Sequence, residues 1–248
     1  MCSSDLYPSL FCFELWLKGK KKRKLYINTP IEVLKNKNFP ICLGFDKATA
    51  LEKSLLKSIS NTIPYPECIL NTDFVESDTY AFSGLALKIN WNKENNDLAN
   101  KIHSIIKTFT DQWRVLYEAI HIQQLDVYVT PLKIFEGGYN ESFANQEAYT
   151  INNMFQKSSS RSVYWNIRLF NPTNDRREFT ASATLYRHNN NTIYGSEYRE
   201  NFIAEPNQTV YLQSYWGWDY PGQWEQNVYR VELCIENNIV GNIFFTIT

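Results

Sequence analysis

Histidine is scarce in this chain: His103, His121 and His188 are the three among 248 residues. Methionine occurs twice. The five cysteines, Cys2, Cys12, Cys42, Cys68 and Cys234, are scattered and form no C-x-x-C pair. With so few ligands and no close spacing among them, neither a zinc site nor a disulfide framework is expected. Reduced cysteines packed as small hydrophobes, in a cytoplasmic chain, are the expectation instead. No apolar run reaches the ~18 residues that a membrane-spanning helix needs. The start also lacks the basic stretch followed by an apolar one that marks a secretory signal. Net charge is nearly absent, with 25 basic against 26 acidic residues, so no global field draws the chain to nucleic acid or an anionic membrane. Neither is expected as a partner. Two catalytic signatures are missing as well: G-x-x-x-x-G-K-[ST] for phosphate binding and G-x-S-x-G for a serine nucleophile. No cofactor is implied.

What is present is apolar and aromatic. Hydrophobic residues make up 44% and aromatic ones 15%, enough to fill the cores of two ordinary domains at this length. The opening hexapeptide MCSSDL matches the translation of a common sequencing-adapter tail, so residues 1–6 are read as foreign to the protein, which then would continue upstream.

The first half mixes strand and helix patterns. Phe11, Phe13, Leu15 and Leu17 alternate, Lys18-Gly19-Lys20 reads as a turn, and Lys24 to Asn28 as the returning strand. Phe39 to Phe45 is a short apolar strand, and Asp46 is placed to cap a helix carrying Leu51, Leu55, Leu56 and Ile59. Pro64-Tyr65-Pro66 ends that helix. Ala81 to Trp91 alternates again. The spacing of Leu98, Ile102, Ile105, Ile106, Phe109, Trp113, Leu116 and Ile120 predicts a long helix from about Lys93 to Ile122, capped by Asn92. This order predicts a small α+β layered domain over residues 7–123.

From residue 124 the period changes to two. Strands are expected at Val127–Phe135, Ala148–Met154, Arg161–Phe170, Glu178–Arg187, Thr192–Tyr198, Gln208–Gln213, Tyr229–Glu236 and Ile239–Thr246, with an Asn237-Asn238 hairpin turn between the last two. Eight short strands in roughly 120 residues fit an all-β sandwich over 124–248. Its inward set includes Val163, Trp165, Ile167, Leu169, Val231, Leu233, Ile235, Phe245 and Ile247. The fold class is therefore α+β: a layered α+β domain followed by a β-sandwich.

One set of residues carries a likeness. Phe135-Glu136-Gly137-Gly138, the run Val163 to Leu169, Trp216-Gly217-Trp218 with Pro221, Gly222 and Trp224, Tyr229 to Glu232 and the closing Phe245-Thr246-Ile247 occur in that order. Residues 127–248 thus resemble an Ig-like β-sandwich module found at the C-termini of large bacterial multidomain proteins, among them AAA-type ATPases. The resemblance implies a non-catalytic accessory or recognition role, binding a protein partner or positioning an upstream effector domain. It brings no catalytic residue with it. The first half resembles no family named here.

Several clusters admit a functional reading beside a plain one. Lys18, Lys20, Lys21, Lys22, Arg23 and Lys24 put six cations in seven residues, which could grip phosphates; the plain reading is a solvated hairpin tip that discourages edge pairing. The basic patch Lys20, Lys21, Lys22 and Arg23 lacks interleaved aromatics. Tyr215, Trp216, Trp218, Tyr220 and Trp224 form an aromatic loop that could stack on a sugar or grasp a peptide. Trp165 and Trp224 are assigned to the core, and Trp216, Trp218 and Tyr220 are the contact candidates. Asp73, Glu76 and Asp78 read as a solvated acidic loop. His103 and His121 are too far apart on one helix to share a metal. An enzymatic alternative would have to draw on Asp46, Asp73, Glu76 or His103 converging in a pocket of the first domain.

Overall fold

Strand pairing dominates the computed structural model, which describes residues 10–16, 22–28, 41–62, 69–77, 82–89, 98–137 and 153–248. The adapter-like residues 1–6, the turn at 18–20, the Pro64–Pro66 stop, Asp78, Asn92 and residues 148–152 of an expected strand lie outside them. The chain divides into two compact units, Met1–Tyr117 and Glu118–Thr248.

The first unit holds a five-stranded antiparallel sheet. Its strands are β1 (Leu10–Trp16), β2 (Lys22–Asn28), β3 (Ile41–Asp46), β4 (Ile69–Ser77) and β5 (Phe82–Ile89), in the order β1-β2-β3-β5-β4. β4 corrects the acidic-loop reading, because Asp73 and Glu76 lie on a strand paired with β5 along its length. Its apolar residues come as the adjacent pairs Ile69-Leu70 and Phe74-Val75, which hides the period of two.

Helix α1 (Ala50–Thr62) packs on β4, β5 and the long helix α2 (Leu98–Leu116). Leu51, Leu55, Leu56 and Ile59 are all buried, as their spacing predicts. The cap is Thr49 rather than Asp46. Glu52 N donates to Thr49 Oγ1 at 3.2 Å and Thr49 N donates to Glu52 Oε2 at 2.8 Å, a reciprocal capping box. Glu52 is itself buried, and its other oxygen accepts from Trp113 Nε1 of α2 at 3.2 Å. One carboxylate thus closes a helix start and ties two helices together. Phe109 of α2 meets Phe45 of β3 at 5.2 Å between ring centroids.

α2 stops at Leu116, six residues before the expected end. Ile120–Ile122 instead forms β6, paired antiparallel with β7 (Val127–Val129). The β-branched Ile120 and Ile122 favour the strand. A turn with Asp126 at φ 45° closes the hairpin, His121 Nε2 meets Asp126 Oδ1 at 2.9 Å, and His121 stacks on Tyr128 at 4.7 Å.

The second unit contains two sheets. In one, β14 (Thr209–Gly217) pairs with β10 (Ser162–Phe170), and β10 pairs on its other edge with β7 and with β8 (Lys133–Gly137). The single strand expected over Val127–Phe135 is split because Pro131 has no N–H to give the ladder. Thr130 bridges the gap: its N donates to Arg168 O at 2.9 Å, and its Oγ1 accepts from Arg168 N at 2.8 Å.

The other sheet runs β12 (Thr192–Ile193), β11 (Arg177–Arg187), β15 (Asn227–Ile235), β16 (Asn238–Ile247), β9 (Met154–Phe155). β13 (Tyr198–Ala204) joins the same edge of β11 as β12, and β9 pairs parallel with the last strand. β13 was not expected. It and β12 replace one predicted strand, which Gly195 at φ 84° interrupts.

All nine residues of the expected inward set are buried, and both sheets share one hydrophobic core, so the unit is a β-sandwich. The last hairpin turns on Glu236-Asn237, one residue earlier than expected. Both have positive φ, 48° and 63°. Glu236 tolerates this because Thr180 N donates to its carboxylate at 2.5 Å while Glu236 N donates to Thr180 O at 3.0 Å. In β16 the register shifts beside Gly241. A Cβ at Gly241 would stand 2.8 Å from Leu132 Cβ, so the inter-sheet approach requires glycine. Among the described residues, no helix is long and apolar enough to cross a membrane.

Candidate functional site

At one end of the sandwich a cleft of about 320 Å³ opens between the two sheets. One wall is the end of β14: Tyr215, Trp216 and Gly217, continued by Trp218. The opposite wall is Tyr194-Gly195-Ser196, between β12 and β13, and Trp224 also lines the cleft. The aromatic segment expected as a loop therefore begins as strand, since β14 extends four residues past its predicted end.

Trp224 is 1% exposed, and its Nε1 donates to Arg161 O at 3.1 Å. It stacks with Tyr194 at 5.8 Å and meets Tyr229 edge-on at 5.4 Å. Tyr229 Oη donates to Glu225 O at 2.9 Å, and burial pushes its phenol above the ordinary tyrosine value. Glu225 pairs with Arg187 at 2.8 Å, and that guanidinium lies 4.7 Å over the Tyr194 ring. Each such aromatic pair adds ~0.5–1.5 kcal/mol beyond area burial, so the floor is held from several sides.

Trp216 is half-buried and packed on the core. Its Nε1 donates to Ser196 O at 3.0 Å, and its ring lies 6.5 Å from that of Trp165. Across the cleft this bond joins the two sheets. Gly217 pairs with Ser162 so closely that a Cβ would stand 2.5 Å from Arg161 O and 2.6 Å from Ser162 Cα.

Trp218 and Tyr220 differ in kind. Trp218 is 47% exposed and Tyr220 is 73% exposed. The Trp218 backbone is fixed, its N donating to Arg161 O at 3.0 Å. Tyr215 is also exposed, its ring 5.0 Å from that of Tyr164. Of the three contact candidates, Trp216 and Trp218 line the cleft and Tyr220 projects from the loop beyond it. Tyr194, Gly195 and Ser196 were missed. In sequence they read only as a Gly-containing break, with no sign that they face Trp216.

The remaining candidates separate. Lys20 and Lys21 lie outside the described residues, and Lys22 and Arg23 begin β2 opposite Trp16 and Leu15. Glu76 is exposed and paired with Lys53, and that hydrogen bond holds its carboxyl below the ordinary range. His188 meets Phe244 edge-on at 5.0 Å. Among the described residues, no three His, Cys, Asp or Glu gather in metal-holding geometry.

No protein-family model and no curated protein matches this chain. Among solved structures it is similar to a DNA-bound alkylpurine DNA glycosylase AlkC of Pseudomonas fluorescens, at 8% identity and TM-score 0.35, over 60% of this chain and 39% of that one. It is also similar to a glycoside hydrolase family 2 β-glucuronidase, at 11% identity and TM-score 0.28, over 45% of this chain and 10% of that one. A Bacteroides uniformis β-glucuronidase gives 14% identity and TM-score 0.27, over 35% and 11%. This chain thus spans well under half of each, and such TM-scores establish no shared fold.

Proposed function

We propose that this chain is a non-catalytic recognition module, an α+β layered unit followed by an Ig-like sandwich, which binds a protein partner through the aromatic cleft. The strand order supports the Ig-like reading: β8-β10-β14 faces β11-β15-β16, and a short β9 runs parallel to the final strand. The observation that carries the functional reading is the split within one aromatic segment. Trp224 is locked into the floor, while a few residues away Trp218, on an anchored backbone, and Tyr220 stand in solvent. Exposed aromatics on a rigid support are suited to contact, because they offer large area and lose little freedom on binding.

A peptide and glycan array probed with the whole chain tests this. Retention that disappears in Trp218→Ala and Tyr220→Ala is the expected result. Reproducible hydrolase or nucleotide turnover that survives both changes and is lost on altering a residue of the first unit would overturn it.

A further inference from the structure

Resting on that recognition reading, we infer that the outer edge of β14 takes an extended peptide segment of the partner as an added strand. Two hydrogen bonds set the phase of this strand. Asn171 N donates to Gln208 O at 3.0 Å just before it, and Trp218 N donates to Arg161 O at 3.0 Å just after it. In the register that pairs Phe170 with Thr209 and Ser162 with Gly217, both bonds place Val210, Leu212, Ser214 and Trp216 in the hydrogen-bonded pairs with β10. The N–H and C=O groups of Gln213, Tyr215 and Gly217 therefore point the other way, along the outer edge of the sheet. Among the described residues no strand pairs with that edge. The Tyr215 ring lies on the outer face with Tyr164, so it is the backbone of Tyr215 and Gly217 that borders the cleft.

Exposed ladders are ordinarily kept short or charged, which deters pairing. The other terminal strands of the described sheets follow that rule. β6, β9 and β12 have three, two and two residues. β1, β4, β8 and β13 are longer, but they carry Glu14, Asp73 with Glu76, Lys133 with Glu136, and Arg199 with Glu200. β14 has nine residues, TVYLQSYWG, with no charge and no proline.

The ladder selects the occupant. Donors and acceptors that recur every second residue, ~7 Å apart, are matched by another extended backbone. A helix has its backbone groups paired within itself, and a proline-rich segment has no N–H to offer. A glycan presents hydroxyls rather than N–H and C=O at this repeat. A second copy of this chain could pair edge to edge, but Val210, Leu212 and Trp216 of its β14 are already packed on its own core. A free segment has its inward side chains to spare. One of them, beside Trp216, enters the cleft of about 320 Å³, while its outward ones lie along the exposed Tyr211 and Tyr215. The partner segment is thus extended, without proline at the paired positions, and apolar at the residue that enters the cleft.

The test is a random decapeptide phage library panned on the whole chain. Enriched peptides are then resynthesised with N-methyl groups on their odd or on their even residues, which removes donors and leaves side chains alone. One phase should weaken binding at least tenfold and the other little, because only alternate residues of an added strand face β14. Gln213→Pro removes an outward donor and no bond to β10, at the loss of one exposed bond from Tyr211 Oη. It should weaken binding at least tenfold with little change in melting temperature. Gln213→Lys, which leaves the backbone intact and adds the charge that other edges carry, should weaken it severalfold. Enrichment of proline-rich peptides overturns strand addition, and so does binding indifferent to both N-methyl phases and to both Gln213 variants. If such ligands still depend on Trp218, the recognition reading stands. A chain that sediments as a dimer and becomes monomeric in Gln213→Lys gives the edge to a second copy and overturns the peptide occupant. No enrichment also overturns it, and the recognition reading falls with it only if the array retains nothing either.

Discussion

Trp224 and Trp218 lie six positions apart and meet opposite fates. Trp224 has its ring between Tyr194 and Tyr229 and its indole N–H on Arg161 O. Trp218 is anchored to the same carbonyl, but through its backbone, so its side chain stays outside. A single acceptor thus fixes both the floor and the rim of the cleft. The difference teaches that aromatic content alone does not mark a contact surface. What matters is which atom of each residue the framework has already used.

That contrast can be broken from the inside first. Leu233→Asp should abolish folding of the second unit, since Leu233 is fully buried in the shared core and an unpaired carboxylate there costs several kcal/mol. Loss of the cooperative melt by circular dichroism checks it. Trp224→Ala should cost about 3–5 kcal/mol through lost burial and the cavity left behind, measured by urea denaturation. A cost under 1 kcal/mol would mean that the floor is not held as described.

The sandwich was legible where residues sit in long alternating strands. β11 and β15 alternate between buried and half-exposed positions, and β10, though buried on nearly every residue, carries its inward set at every second position, so these faces could be read off before any pairing was known. It was illegible where tertiary bonds overrode pattern. Ile120 continues the helical stripe of α2, yet the His121–Asp126 contact and pairing with β7 draw it into a strand. Thr49 outcompeted Asp46 as a cap because Glu52 sits three residues on to reciprocate. The cleft was half legible. Trp216, Trp218 and Tyr220 stood out as aromatics, whereas Tyr194 and Ser196 reach the site only through the fold.

Smaller changes sharpen the contrast. Gly241→Ala should destabilise by ~1–3 kcal/mol, because the new methyl would strike Leu132 across the two sheets. A chemical-denaturation midpoint shifted without change of slope is the expected signature. Tyr229 supplies a pH test. Its folded pKa is raised by burial, so its contribution is complete below the unfolded value near 10 and is lost as pH rises beyond it. Melting temperature should therefore fall above about pH 10, and less steeply in Tyr229→Phe. An equal slope in both proteins would remove Tyr229 as a contributor.

The smallest expected effect on stability is the most telling for function. Trp218→Ala should change folding free energy by less than ~0.5 kcal/mol, as an exposed surface substitution does. Paired melting and binding measurements on this one variant therefore test the account directly, using the ligand that the array identifies for the wild-type chain. The account predicts an unchanged melting temperature and a binding loss of tenfold or more. A melt lowered by several degrees, or undiminished binding, would contradict the division between a structural floor and a recognising rim.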